Sequence, residues 1–402
     1  MKRSTDRFLT THVGSLPRPK HLMDLYAQDA PDEILLPRLK SAVRDVVQDQ
    51  TKCGIDMVND GEFGKAMRSN ADTGAWWSYV YPRLGGFELK QAALEKGRAA
   101  WTFGSKERQE FAEFYADYGT GMGSPSGSSS NRMLGLVCTS PVKYTGHELI
   151  KRDTQNMKVA LAGRPAVEGF MTAVSPATLQ ILPNEHYANQ EEYTWALAET
   201  IREEYEAIVD AGFILQIDDP AIVDVYDWWF SLKDDLNGYR KWAASQIEAL
   251  NHALRNIPED RIRYHICWGS WHGPHKTDVP LKDVVDLLLK VKAQAYSVEA
   301  GNVRHEHEWK VWKETRLPEG KLLIPGVVSH ATNVLEHPEV IADRLTNYAS
   351  SVGRENVIAG TDCGLGGRVH HQLAWAKLQA LREGADLASR RLWDDEAGPL
   401  TD

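Results

Sequence analysis

The sequence predicts a (β/α)8 TIM barrel, on three observations. Short β-rich runs alternate with helical stretches along all 402 residues, in roughly eight β-then-α units. Polar, chemistry-bearing residues collect where those runs end, which is where a barrel places its active site. No Gly-x-Gly-x-x-Gly follows the first run, which counts against the doubly wound open sheet, the main structural rival. A barrel with insertions accommodates this length, since about 250 residues suffice for the core.

The elements follow in order. The first run, Leu9–Val13, contains His12 and leads into Gly14-Ser15. A helical pattern over 38–52 precedes the second run, Ile55–Asn59, which ends at Asp60-Gly61-Glu62. The third, Ala166–Ala173, is followed by a helix over 190–211, and the fourth, Phe213–Ile217, ends at Asp218-Asp219-Pro220. After a helix at 239–255 comes Ile262–Cys267, where His265 and Cys267 stand two apart and so point the same way from a strand. Helical patterns at 281–292, 305–315 and 338–352 separate Ala295–Glu299, Leu322–Val327 (running into Ser329-His330) and Val357–Gly360, which runs on to Cys363. Seven strand ends of eight therefore carry a group able to bind a metal, an ammonium or a proton.

The excess length lies at residues 64–163, between the second and third strands. This stretch contains Trp76-Trp77-Ser78-Tyr79-Val80-Tyr81 and the Gly/Ser run from Gly121 to Ser130. It reads as an excursion over the barrel mouth within a single domain, 1–402, serving as a substrate lid or as a packing or dimer-contact insertion.

Composition excludes several classes. A net charge of −10 without a dense Lys/Arg stripe argues against nucleic acid. No apolar run approaches the ~20 residues of a membrane span, and Met1–Arg7 is not followed by a signal-peptide core, so a cytoplasmic protein is expected. Of the four cysteines, Cys53 and Cys138 read as packing residues. Cys267 and Cys363 have polar, glycine-rich surroundings.

His265, Cys267 and Cys363 offer one nitrogen and two sulfurs, the set zinc prefers, with Glu299 as candidate fourth ligand. The paired short-spacing knuckles of a structural site are absent. Zinc with soft ligands suits a substrate thiol, whose proton, at an ordinary pKa of ~8.5, is lost on coordination. A zinc-hydroxide hydrolase would use histidine-rich or carboxylate ligands. Ser15, Glu62 and Asp218 would form a receptor for an α-ammonium group, or else act as caps or as partners of Arg18, Arg68 and Arg368. His330 is placed to protonate a leaving group, with His12 as a second candidate. His305-Glu306-His307-Glu308 reads as a solvated first turn of a helix.

These motifs resemble the catalytic C-terminal barrel of cobalamin-independent methionine synthase, and more closely the short single-barrel members of that superfamily. Those members include methionine synthase II-like proteins and the zinc-dependent epoxyalkane:coenzyme M transferases. The matching elements are Thr11-His12-Val13-Gly14-Ser15-Leu16-Pro17-Arg18-Pro19, Asp60-Gly61-Glu62, Gln216-Ile217-Asp218-Asp219-Pro220, His265-Ile266-Cys267, Val298-Glu299 and Thr361-Asp362-Cys363-Gly364, in the family's order. The resemblance implies zinc on His265, Cys267, Glu299 and Cys363. It implies a homocysteine amino acid portion held by Ser15, Glu62 and Asp218, with His330 helping to protonate the departing folate. The segment Ser175-Pro176-Ala177-Thr178-Leu179-Gln180-Ile181-Leu182 has no tryptophan where the family places a pterin-stacking aromatic residue. The family's additional N-terminal barrel has no counterpart in these residues.

The expectation is a zinc-dependent thiol alkyltransferase acting on a small thiol and an alkyl or methyl donor, with methyl transfer to homocysteine as the first reading. The alternative is epoxide opening by a thiol such as coenzyme M, whose sulfonate would face Arg18, Lys65, Arg68, Arg304 or Arg368. A non-catalytic zinc- or thiol-binding barrel is the reading from a different class. No nucleic acid or membrane partner is expected. The sequence does not fix an oligomeric state, dimers being the commonest.

Overall fold

The computed structural model describes residues 1–67, 79–90, 105–118, 136–269 and 273–394. Trp76, Trp77, Arg68 and the Gly121–Ser130 run lie outside the described residues.

Seven parallel strands form one curled sheet in chain order: β1 (Met57–Val58), β4 (Glu168–Val174), β5 (Ile214–Asp218), β6 (Ile262–His265), β7 (Ala295–Glu299), β8 (Leu322–Val328) and β9 (Gly360–Thr361). Between β1 and β4, β2 (Leu84–Leu89) and β3 (Leu136–Tyr144) pair as a separate antiparallel ribbon. All residues of β5, β6, β7 and β8 are buried. Such strands are covered on both faces, as a parallel sheet wrapped by helices requires. Helices Gln190–Asp210, Pro338–Val352 and His371–Trp393 pack on it from outside. The architecture is TIM-barrel-like. No described helix is long and apolar enough to cross a membrane.

The predicted first strand is reduced to a single bridge, Thr10 to Ala359. Its segment nevertheless joins the two edges of the sheet. Thr11 N donates to Ala359 O at 2.8 Å and Ala359 N to Leu9 O at 2.8 Å, while Asp56 N and Met57 N donate to Thr10 O at 3.1 and 3.0 Å. Side chains take the places a regular ladder would occupy. Asp56 Oδ2 accepts from Thr10 N at 2.9 Å, and Thr361 Oγ1 accepts from Val13 N at 3.2 Å.

The helix at 190–211 is found at Gln190–Asp210, capped by the Asn189 side chain accepting from Glu192 N. The pattern at 281–292 breaks into Leu281–Asp283 and Val285–Leu288, and that at 305–315 into Glu306–Lys310 and Val311–Glu314. Within residues 64–163, helix His147–Leu161 packs on helix Asp32–Lys52. Arg83 is buried between Asp153 (2.7 Å) and Glu204 (3.2 Å), and Tyr79 OH donates to the same Glu204 at 2.6 Å.

A guanidinium is buried within the sheet. Arg263 of β6 donates from Nε to Gln216 Oε1 at 2.6 Å, from Nη1 to Thr11 Oγ1 at 2.9 Å and from Nη2 to His12 O at 2.5 Å. Its guanidinium lies 3.7 Å from the Phe170 ring centroid. Arg263→Ala removes these bonds and leaves a void with unsatisfied acceptors, so a loss of about 3–5 kcal/mol in unfolding free energy is expected. Urea denaturation checks this, and a loss below about 1 kcal/mol would show that the lattice around Arg263 is dispensable.

Candidate active site

β6 delivers His265 at its end, and two residues later the chain presents Cys267. β9 runs directly into Asp362 and Cys363. The ligand atoms of His265, Cys267 and Cys363 lie within 4.8 Å of one another, all buried, with the two sulfurs 3.8 Å apart. His265 Nδ1 is 3.1 Å from Ser297 Oγ on β7. Donation there leaves the Nε2 lone pair facing the sulfurs, and Nε2 is a buried atom with no hydrogen-bond partner. This donor set can hold a metal ion.

The contact between the sulfurs holds Cys363 well below the ordinary thiol range. Burial opposes that shift, while Arg368, His265 and His330 assist it. The same contact, with burial, pushes Cys267 well above that range.

Glu299 stands outside the three-residue group. Its Oε1 accepts from Trp268 N at 3.0 Å, and its Oε2 from Asn302 Nδ2 at 2.6 Å. Burial pushes its carboxyl well above the usual range, with Asp362 and Cys363 adding to the effect. Asp362 braces the same loop by accepting from Ala300 N and Gly301 N, each at 2.7 Å. Its pKa is pushed up to about 7 by burial against those bonds.

A cavity of about 830 Å³, part of it open to solvent, borders the His265, Cys267 and Cys363 group. Ser15, Glu62 and Asp218 line it together with His265, Cys267 and Cys363, so the structure brings the predicted substrate residues to one wall system. Glu62 sits in the left-handed region at φ 61°, held by Asp60 Oδ1 accepting from its N–H at 2.9 Å. Its Oε1 accepts from Thr172 Oγ1 at 2.7 Å and lies 3.3 Å from Lys65 Nζ. Gly14, at φ 142°, makes room for it, because a Cβ there would lie 2.6 Å from that oxygen. Arg18 meets the carbonyl oxygen of Glu62 at 2.6 Å and Ser15 Oγ at 3.4 Å. Asp218 accepts from Gln216 Nε2, and burial, with the charge of Glu62, pushes its carboxyl well above the usual range.

His12 and His330 are not brought to the cavity wall. His12 accepts at Nδ1 from Gly14 N (3.2 Å) and meets Gln50 Oε1 through Nε2 (2.8 Å), with burial pulling its pKa to about 4. It props the Gly14 turn. His330 is buried at the end of β8, near enough for its charge to act on Cys363.

The 305–308 cluster is not a solvated turn. His305 and Glu308 are buried, and only His307 of the four is fully exposed. His305 stacks on Trp268 with centroids 3.9 Å apart, and bridges Glu308 Oε2 (2.9 Å) and Asp278 Oδ2 (3.0 Å). Asp278 also takes His275 Nδ1 at 3.0 Å. The buried carboxylate opposite His305 lies 27 positions away in sequence, so the spacing of the motif could not reveal it. Asp224 and Trp228 also line the cavity and were not anticipated. The signal available was their place about one and two helical turns beyond Asp218-Asp219-Pro220.

A TIM-barrel-like fold thus carries, on one cavity, a buried His–Cys–Cys group that could hold a metal ion together with the carboxylates of Glu62 and Asp218. Residues 136–387 match the family model described as the catalytic domain of cobalamin-independent synthase, and the chain belongs to that family. Family membership points to an enzyme of the methyl- or alkyltransferase class. The chain is 24% identical over 416 residues to 2-hydroxypropyl-CoM lyase of Xanthobacter autotrophicus, and 23% identical over 404 residues to methionine synthase of Saccharolobus solfataricus. Each match covers 95% of both chains. Its fold is similar to that of a B12-independent methionine synthase from Shewanella sp. W3-18-1 solved with selenomethionine. The TM-score is 0.68 at 21% identity, over 96% of this chain and 99% of that one.

Burial lowers the pKa of His305, but its bonds to Asp278 and Glu308 outweigh that and raise it from 6.5 to about 9. Its contribution to stability is therefore complete below the unfolded pKa and is lost as pH rises through about 9. Relative to His305→Gln, the wild type should lose on the order of 2–3 kcal/mol between about pH 6 and about pH 9.5. Urea titrations at both pH values test this; parallel curves would rule out the charged latch.

Proposed function

We propose that this chain is a zinc-dependent thiol alkyltransferase that transfers a methyl group to the thiol of homocysteine or a similar small thiol. The observation that carries this reading is the placing of Glu62 and Asp218 on the cavity that also exposes His265, Cys267 and Cys363. The nitrogen-and-two-sulfur donor set, with an orphaned imidazole Nε2, fits zinc, and Glu299 is the neighbouring carboxylate available to complete the shell. Zinc, when bound, would favour the thiolate over the thiol of the substrate near neutral pH.

The chain's own residues then do the positioning. Asp218, Glu62 and Ser15 hold an α-ammonium, which fixes the substrate sulfur beside the cysteines. A bound ammonium would also relieve the burial of Asp218 next to Glu62. The thiolate attacks the alkyl carbon in line, and the sulfur–carbon bond forms as the bond to the leaving group breaks. We assign residues 64–163 to the mouth of the site, as an insertion in a single (β/α)8 domain. In support, Lys106 N donates to Ser231 Oγ at 3.3 Å and Lys276 N to Glu107 Oε2 at 2.5 Å, tying helix Lys106–Glu110 to loops that follow β5 and β6.

A second reading, epoxide opening by a sulfonate-bearing thiol, is favoured by Arg368, which lines the cavity next to Gly364. Thiol preference separates the two. Asp218→Asn should raise the KM for homocysteine by about tenfold or more, with little effect on a thiol of the same length lacking the amine. Equal effects on both thiols would refute the ammonium assignment. Cys363→Ala should lower bound zinc from about one equivalent per chain to a small fraction of that, measured by elemental analysis after dialysis. Unchanged zinc content would remove Cys363 from the ligand set.

A further inference from the structure

We propose that the wall of the cavity formed by Asp224 and Trp228 recognises a positively charged alkyl donor, a sulfonium or quaternary ammonium compound. This rests on the thiol-alkylation reading above and names the class of its donor.

Asp224 is the penultimate residue of the short helix Ala221–Val225, which begins three residues after Asp218. It is buried, it lines the cavity, and its Oδ1 has no hydrogen-bond partner. Leaving a buried carboxylate oxygen unpartnered is costly, and other buried acids of the site are satisfied: Asp219 by Ser175 and Tyr264, Asp362 by two amides. An arrangement of this kind is explained by a partner that arrives from outside. Trp228, four residues on, lines the same cavity from the π-helical turn Tyr226–Phe230, a rare geometry that is frequent at functional sites.

Charge and polarity narrow the partner. Glu62 already has Lys65 at 3.3 Å, and Asp218 is the seat of the ammonium in the acceptor thiol, so Asp224 is the acid left to meet a second cation. The neighbouring lining is Ile181, Pro220 and Ala221, which offers nothing to a strongly hydrated ion and suits methyl groups. An aromatic ring beside a carboxylate is the pairing that binds methylated onium groups, through the ring quadrupole and the counter-charge together.

The chemistry is consistent with the rest of the wall. In the transfer, the thiolate sulfur forms a bond to the methyl carbon. The carbon–sulfur or carbon–nitrogen bond of the onium breaks, and its electron pair stays with the leaving atom. That group departs as a neutral sulfide or tertiary amine and needs no proton. Neither His12 nor His330 lines the cavity to supply one.

The test uses calorimetric titration of the zinc-loaded full chain with tetramethylammonium and with its uncharged isostere, neopentane-shaped tert-butanol. Tetramethylammonium should bind about tenfold or more tightly than the alcohol, Asp224→Asn should reduce that preference to about twofold or less, and Trp228→Leu should weaken the cation severalfold. No preference for the cation in the wild type, or full retention of it in Asp224→Asn, overturns the proposal. If Asp224→Asn loses its zinc and fails to fold, the wild-type preference and Trp228→Leu still decide. Proton release on adding homocysteine, recorded with the same samples, keeps the two readings apart. Cation preference without thiol binding would sink the alkyl-transfer reading alone, and thiol binding without cation preference would sink only the onium subsite.

Discussion

The structure depends on a guanidinium placed where an apolar side chain would be expected. Arg263 joins Thr11, the carbonyl of His12 and Gln216 across the interior of the curled sheet. Gln216 in turn donates to the carbonyl of Val13 and to Asp218 Oδ1. One side of this lattice fixes the segment leading to Ser15, and the other aims Asp218. Arg263, His265 and Cys267 share the period of two along β6 and its extension, so charge, imidazole and thiol are stacked from the interior towards the mouth. Burial without a carboxylate in contact lowers the pKa of Arg263 to about 9. The fold accepts a large desolvation cost there, and in return Ser15 and Asp218 stay in register on one cavity.

The sequence made the site more legible than its supports. His265 and Cys267 could be paired because strand periodicity is local. Cys363, Asp218 and Glu62 could be added because each follows a β-rich run. The first strand was less legible, since the groups that replace its ladder, Asp56 and Thr361, are side chains far away in sequence. The pattern at 281–292 hid a break at Val284, and the helix Pro338–Val352 was found as predicted because Pro338 and the apolar face mark it locally. His305 was misjudged for the same reason that the first strand was. Its environment is made by Trp268 and Asp278, which only the tertiary fold brings to it.

The 2-hydroxypropyl-CoM lyase and the methionine synthase resemble this chain about equally, at 24% and 23% identity over 95% of its length. Overall similarity therefore does not choose the electrophile. Around the His–Cys–Cys group, Ser297 meets the His265 ring, Asn302 donates to Glu299, and Asp362 accepts from the Gly301 amide. Asp224, Trp228, Thr178 and Ile181 line the same cavity and supply the part of its wall on which the proposed choice of donor would depend.

The joining of the sheet edges through the segment around Thr10 sets an order of events as well as a shape. Val13 meets Thr361 across 348 positions, Ser4 meets Val357 across 353, and Phe8 meets Ser389 across 381. At ribosomal rates of about 5–20 residues per second, the first dozen residues wait on the order of tens of seconds for their partners to be synthesised. Closure is thus a late, long-range step with a high loop-entropy cost. Ser15 stands just beyond that seam, so the cavity it lines is completed only when these distant segments of the chain find each other. Incomplete or truncated chains are left with an open sheet edge rather than a partly active enzyme.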